Sequence, residues 1–318
     1  MEKIQDIVKK LIADETVEYV IGYSQGSEPL RVVPCFVQGE DDVKRLVWGP
    51  LCLQNLAKYV LQGRDLAGKI GLLLKGCDAR AVVELLKQNQ IEREKIVVVG
   101  LACQGQVDPD KLEEALGVPK ERVSGVEDVG DAFLVGVGEE KVEVPKERLL
   151  REKCFNCKHP TSFQYDLTVG QVAPFSTDGD KREFALVEEL EQLPLEERRA
   201  FWLKQFDRCI RCNACREVCY ACYCRECMFD KRVPRWLNRP PFLSDNETYH
   251  LIRALHLAGR CIDCGECERV CPVHIPLSRL YKKVQKDIAE LFQYQAGMEA
   301  DAPSPLVTFE VDDQDPFL

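Results

Sequence analysis

The chain has 318 residues, 43 Lys+Arg against 53 Asp+Glu and a net charge of -10. That is room for two domains with separate cores, and a balance that disfavours nucleic acid and anionic membrane while leaving an acidic face for a basic partner protein. No apolar run approaches the roughly 18 residues that span a bilayer, and the opening MEKIQDIVKKLIADE is charged throughout, so the expectation is a cytoplasmic protein with no signal peptide and no membrane insertion. In that compartment the 17 cysteines point to metal centres rather than disulfides, and oxygen-sensitive clusters would suit an anaerobic metabolism.

In chain order, residues 2–13 place Ile4, Ile7, Val8, Leu11 and Ile12 on one stripe at helical spacing, which predicts an amphipathic helix packed on a core. Two β-like pieces follow, VEYVIGYS (17–24) and LRVVPCFV (30–37), separated by a turn with Gly26 and Pro29. Residues 42–62 read as a helix interrupted at Gly49-Pro50. Cys35 and Cys52, each alone, read as core residues.

Ile70 to Leu74 and Ile96 to Val99 are apolar runs on either side of a helix from about Ala79 to Gln88. Strand, helix, strand with both strands apolar throughout predicts a parallel sheet covered on both faces, whose ligands sit beyond the carboxyl ends of the strands. Those ends carry Cys77 in KGCDAR and Cys103 in GLACQG. Either alone reads as a small buried hydrophobe, but together, flanked by glycines, they look like ligands. DAFLVGVGEEKVEVP reads as a hairpin turning at Gly138-Glu139-Glu140.

CFNCKHP brings Cys154 and Cys157, and YDLTVGQV follows at 165–172. A single C-x2-C is a redox dithiol, half a zinc site or half a cluster site; with Cys77 and Cys103 it supplies the four thiolates of a cubane, a third cluster. His159 beside it replaces a thiolate, takes part in a hydrogen bond behind the ligands, or simply faces solvent on a loop. The C-x2-C followed by YDLTVGQV and preceded by VVVGLACQG resembles the beta-subunit family of deazaflavin-reducing hydrogenases and formate dehydrogenases over about residues 70–172. The resemblance implies an iron–sulfur site beside a flavin. Ala102 stands where the family motif has proline, and the ferredoxin module follows this domain where the family usually places it before.

Residues 176–186 are polar and form the expected domain boundary. Helices are predicted from about Arg182 to Gln192 and, after Pro194, from Leu195 to Phe206. Then come CIRCNACREVC (Cys209, Cys212, Cys215, Cys219) and CIDCGECERVCP (Cys261, Cys264, Cys267, Cys271), both C-x2-C-x2-C-x3-C. Three thiolates spaced by two residues wrap one face of a cubane, and the fourth comes from elsewhere. In two-cluster ferredoxins the last cysteine of each run serves the other cluster. That gives Cys209, Cys212, Cys215 and Cys271 for cluster 1 and Cys261, Cys264, Cys267 and Cys219 for cluster 2. Zinc usually takes separate C-x2-C pairs, and disulfides suit small secreted chains.

A proline-rich connector and a helix from near Ser244 or Asn246 to Gly259 lie between the runs, and Leu277 to Tyr294 forms another helix. Such motifs between long helices resemble the α-helical ferredoxin modules of heterodisulfide reductase and succinate dehydrogenase iron–sulfur subunits, as does GRCIDCGECERVCPVHIPLSRL. His250 and His256, six apart on a helix, read as packing or surface residues, and His274 as a group able to tune a cluster by hydrogen bonding.

Cys222, Cys224 and Cys227 crowd behind Cys219, where Tyr220 replaces the usual proline. They read either as a further cluster completed by Cys35, Cys52 or a first-domain cysteine, or as residues lining the existing clusters, one of them replacing Cys219; a metal-free trio is the weakest reading. The acidic end, 299–318, reads as a tail.

The expected architecture is an α/β N-terminal domain with a parallel sheet (1–175), an α-helical two-[4Fe-4S] ferredoxin domain (176–298) and the tail. The expected function is an electron-transfer subunit of a hydrogenase, formate dehydrogenase or heterodisulfide-reductase-like complex, relaying single electrons through two [4Fe-4S] clusters and one or two more. No residue is required to act as acid, base or nucleophile. The alternatives are a flavin-dependent oxidoreductase with FAD in the first domain, and a zinc-scaffolded structural module.

Overall fold

The computed structural model describes residues 1–63, 68–155, 157–162, 164–170 and 183–307. The chain divides into two compact units, one of Met1–Ala79 with Ile91–Arg182 and one of Arg80–Gln90 with Glu183–Leu318. Most of the expected boundary at 176–186, and the tail beyond 307, lie outside the described residues.

In the first unit a five-stranded sheet is built from β1 (Tyr19–Gln25), β2 (Val32–Val37), β3 (Ile70–Leu74), β4 (Ile96–Leu101) and β8 (Leu167–Val169), in the order β2-β1-β3-β4-β8. β1, β3, β4 and β8 run parallel, and β2 closes one edge antiparallel to β1. All five residues of β3 are buried, as a parallel strand covered on both faces requires. The helix Glu2–Ala13 buries Ile4, Val8 and Leu11 against Val20, Leu73 and Val99, with Ile7 and Ile12 half-buried beside them. Each such side chain contributes up to about 1.5–3 kcal/mol of burial. Cys35 belongs to the same core.

A second sheet, antiparallel, has the order β5-β6-β7 from β5 (Val123–Asp128), β6 (Ala132–Val137) and β7 (Glu140–Pro145). The expected hairpin is β6–β7, and Gly138 at its turn has φ 61°, a left-handed backbone that favours glycine.

The helix expected over 42–62 is not formed: only Glu40–Val43 and Ala57–Val60 are helical. Pro50 cannot donate within a helix, and the segment instead ties its carbonyls to distant donors. Val107 N–H donates to the Pro50 carbonyl at 3.0 Å and the Gln106 amide donates to that of Cys52. Satisfied this way, Leu51, Cys52, Leu53 and Leu56 are buried in a loop.

In the second unit the helices Ala185–Glu191, Leu195–Asp207, Leu243–His256 and Leu277–Phe292 surround the ferredoxin runs. Each run ends in a single helical turn, Ala214–Glu217 and Glu266–Arg269. The core combines Tyr249, Leu257, Ile275, Leu277 and Tyr281 with Cys215, Cys219 and Cys271. The helix Gly76–Lys87 begins in the first unit, and from Arg80 it belongs to the second, where the Arg80 guanidinium donates to the Ala296 carbonyl at 2.7 Å and Gly297 N–H to Glu84 Oε1 at 2.6 Å. No helix among the described residues is long and apolar enough to cross a membrane.

Candidate iron–sulfur centres

The two cysteine runs repeat each other in backbone as well as in spelling. Arg211 and Asp263 stand before the second cysteine of each run with φ 50° and 56°, and Asn213 and Gly265 stand after it with φ 63° and 66°. Paired left-handed residues curl the chain around a concave face and turn amide N–H groups inward, the nest geometry that favours anions. Arg211 N–H donates to Cys209 Sγ at 3.4 Å, and Ile275 N–H to Cys271 Sγ at 3.4 Å.

Around the first run the thiols lie near enough to affect one another's ionisation. Burial pushes the Cys209 thiol up, and Cys215, Cys271 and Cys212 push it further. Burial likewise raises Cys215, with Cys212 and Cys271 adding to it. Cys271, the last cysteine of the second run, thus shares a neighbourhood with the first three of the other. Four thiols that repel one another as thiolates ionise together only when a cation binds them.

The helix Leu243–His256 turns one face to this site, burying Asn246, Tyr249, His250, Arg253 and Ala254. Asn246 Nδ2 donates to the carbonyls of Phe206 (3.0 Å) and Cys209 (2.8 Å), fixing the entry to the loop. Tyr249 Oη is 3.7 Å from Cys215 Sγ. His250 stacks on Phe206, centroids 5.0 Å and planes 11° apart, with Nε2 3.3 Å from Cys209 Sγ. Burial, helped by the Arg253 charge, pulls His250 down to about 3, so the ring is neutral. Of the two readings, packing or surface, His250 takes the packing one, and it also touches a candidate ligand sulfur. His256 is exposed.

The second site is a cavity that Cys219, Cys261, Cys264 and Cys267 line together with Arg253 and Tyr281. Cys219 reaches this cavity from the first run. A hydrogen bond to Cys222 raises the Cys219 thiol most, before burial and the nearby Cys264. Burial pushes Cys261 up to about 12 and raises Cys267 well above its usual range. Gln285 Nε2 donates to Cys261 Sγ at 3.3 Å. Arg253, 3% exposed, donates to the Cys215 carbonyl at 2.8 Å and to the Tyr281 hydroxyl. Its Nε has no partner, and no carboxylate among the described residues pairs with it. A buried, uncompensated cation between two nests of thiols suits a site that becomes negative once its thiolates bind iron.

In the first unit, Leu74 pairs with Gly100 across β3 and β4, and Cys77 and Cys103 each lie three residues beyond that pair. Cys77 is the second residue of the helix Gly76–Lys87, which begins three residues before the expected Ala79. Position 76 has no room for a side chain, because the His159 carbonyl backs onto it, 1.7 Å from where a Cβ would stand. Burial raises Cys77, opposed by Lys153, whose Nζ is 4.0 Å from the Cys77 sulfur. Burial also raises Cys103, with Cys154 and Cys77 adding to it, and pushes Cys157 up to about 12, with Cys77 and Cys154 behind it. The four expected thiols therefore share one neighbourhood. Lys75 lies beneath them, 1% exposed, its Nζ 2.8 Å from Asp78 Oδ2 and 2.7 Å from the Gln54 carbonyl.

Residues 67–192 match the family model for the C terminus of the coenzyme F420 hydrogenase/dehydrogenase beta subunit, and residues 205–275 match that of a 4Fe-4S dicluster domain. The chain joins a domain of that beta-subunit family to a dicluster ferredoxin domain. The beta-subunit match takes in Cys77, Cys103, Cys154 and Cys157, and the dicluster match takes in both ferredoxin runs. The chain is 24% identical over 362 residues to the F420-dependent formate dehydrogenase subunit beta of Methanocaldococcus jannaschii, across 96% of this chain and 93% of the relative. It is 25% identical over 356 residues to the F420-dependent formate dehydrogenase 1 subunit beta of Methanococcus maripaludis, across 94% and 91%. A chain in the structure of the F420-reducing [NiFe] hydrogenase complex from Methanosarcina barkeri has a TM-score of 0.44 and 13% identity, over 64% of this chain and 84% of that one.

The remaining cysteines are placed as follows. In the dicluster domain Cys222 meets Cys219, Cys224 is exposed and Cys227 lies near Arg216, whose guanidinium pairs with Asp230 at 2.9 Å. Tyr220, in the position of the usual proline, is buried and donates to the Arg260 carbonyl. In the first unit Cys52 is buried and pushed up to about 12. His159 is half-buried, and His274 is exposed. Among the described residues no three His, Cys, Asp or Glu side chains are gathered closely enough for a single metal ion. Asn246 and Arg253 went unread in the sequence, and His250 was not linked to them; the signal was polar side chains at i, i+4 and i+7, where a packed helix carries apolar ones.

Proposed function

We propose that the chain is an electron-transfer subunit of a cytoplasmic redox complex of the formate dehydrogenase or hydrogenase kind, holding three [4Fe-4S] clusters. Cys209, Cys212, Cys215 and Cys271 hold the first, Cys261, Cys264, Cys267 and Cys219 the second, and Cys77, Cys103, Cys154 and Cys157 the third. When bound, each cluster takes up and releases one electron at a time, at a potential set by burial, charge and hydrogen bonds to sulfur. The protein's part is to hold the thiolates, exclude water and supply N–H donors and buried cations. Arg253 does this for the ferredoxin pair, and Lys75 and Lys153 for the third site.

The observation that carries this reading is that each run's last cysteine lies by the other run: Cys271 acts on the Cys209 thiol, and Cys219 lines the cavity of Cys261, Cys264 and Cys267. Anaerobic redox titration followed by electron spin resonance tests it. Reversible one-electron signals are expected, and a protein that shows none on reduction would contradict the proposal. The match of residues 67–192 to a coenzyme F420 hydrogenase/dehydrogenase family supports a second reading for the first unit, a bound flavin. Flavin released on denaturing the purified chain would establish it.

A further inference from the structure

The connector between the ferredoxin runs carries a feature that electron transfer within the chain does not use. Residues 231–242, KRVPRWLNRPPF, hold basic side chains at Lys231, Arg232, Arg235 and Arg239 and no acidic one, in a chain of net charge -10. Leu237 is buried, and every other residue of the strip is exposed. Val233 is 90% exposed, Trp236 55% and Phe242 56%. No carboxylate among the described residues pairs with Lys231, Arg232, Arg235 or Arg239. Large apolar side chains held in water beside unpaired arginines have the composition of a binding surface.

The strip is fastened to the loop of the first cluster site. Arg211, between Cys209 and Cys212, donates through Nη2 to the carbonyls of Asn238, Arg239 and Pro240, the Arg239 contact being 2.9 Å. Asp245 accepts from Asn238 N–H at 3.1 Å and lies 3.7 Å from Arg211 Nη1. On the same loop Ile210 is 58% exposed and Cys212 is exposed. A surface that reaches a candidate ligand loop and carries charge opposite to the rest of the chain can steer and orient a partner.

We infer that the 231–242 strip with Ile210 is the docking surface for an acidic electron-transfer protein, which exchanges electrons with the cluster held by Cys209, Cys212, Cys215 and Cys271. The inference rests on the electron-transfer reading above. Trp236 and Phe242 supply the apolar anchor, and Arg232, Arg235 and Arg239 the charge that selects the partner. The step is a transfer of one electron from the reduced chain to the oxidised partner, or the reverse, with no bond made or broken.

The test uses the full, iron-loaded chain, reduced anaerobically and mixed in stopped flow with oxidised rubredoxin, an acidic acceptor, or with oxidised cytochrome c, a basic one. The rate of rubredoxin reduction is expected to fall about tenfold between about 20 and about 300 mM salt. At low salt it should fall by a similar factor in Arg232→Glu/Arg235→Glu/Arg239→Glu, while the triple lysine variant keeps most of the rate and cytochrome c reduction does not fall. Iron content equal to the parent's certifies that the variants are folded. Equal rubredoxin rates in the parent and the glutamate variant would overturn the docking surface while leaving the electron-transfer reading intact, because cytochrome c is still reduced. If neither acceptor is reduced, the reading and the inference fall together. Binding to phosphatidylglycerol vesicles or duplex DNA that the glutamate variant loses would assign the strip to another class of partner and overturn it.

Discussion

The imidazole Nε2 of His250 lies 3.3 Å from Cys209 Sγ, in a ring that burial keeps neutral and Phe206 holds flat. A neutral imidazole facing a thiolate through Nε2 places its one proton there, since the sulfur accepts and cannot donate. A donor aimed at a ligand sulfur favours the reduced, more negative cluster. His250→Phe keeps the stack and removes the donor. The reduction potential of the first cluster is expected to fall by roughly 40 mV, one net hydrogen bond's worth, with the second unmoved. A titration in which neither potential changes would show that the contact does not act on the cluster.

Arg253 faces both ferredoxin sites, through the Cys215 carbonyl on one side and the cavity wall on the other. Arg253→Met is expected to lower both potentials, by on the order of 100 mV for a buried unit charge at an effective dielectric of about 20, and Arg253→Lys to lower them less. Its effect on stability should change sign with iron. The iron-loaded variant should melt below the parent, having lost the counter-charge, and the iron-free variant at or above it, having lost a buried unpaired cation. Melting curves with and without iron check this.

Gly76→Ala sets a methyl group against the His159 carbonyl, 1.7 Å away. Backbone must move, and Cys77 moves with it. The variant should lose about four irons per chain, one cubane's complement, with the spin signals of the ferredoxin pair retained. Cys157→Ser should give the same loss without the strain. Loss of all iron would instead point to general unfolding.

Removal of iron should give the protein an alkaline weakness. Burial pushes Cys52, Cys157 and Cys261 up to about 12, against about 8.5 in an unfolded chain. Above that value the unfolded chain sheds protons that the folded chain keeps. The stability these thiols contribute is therefore complete below about pH 8.5 and is lost as pH rises toward 12. The iron-loaded chain, whose ligand sulfurs are already thiolates, should lose less over the same range. Denaturant midpoints measured across that window for both forms give the comparison.

The two parallel strands of the β3–β4 pair, the two repeated cysteine loops and the helices Leu195–Asp207, Leu243–His256 and Leu277–Phe292 follow from local spelling. Cysteine spacing, unbroken apolar runs and Pro194 each encode their consequence within a few residues. What escaped depends on distant partners. β8 is three residues long and becomes a strand only because Val99 and Leu101 offer it an edge. The 42–62 segment has the composition of a helix, yet its carbonyls are claimed by Val107 and Gln106. His250 reads as a packing or surface residue, and Arg253 attracts no reading at all, until the helix face they share is seen to line the cysteine sites.

Counting iron and acid-labile sulfide per chain, on protein purified without oxygen, tests the central claim most directly. About twelve irons with matching sulfide are predicted, falling to about eight in Cys77→Ser. Stoichiometric zinc without sulfide, or a colourless protein with its thiols free, would contradict it.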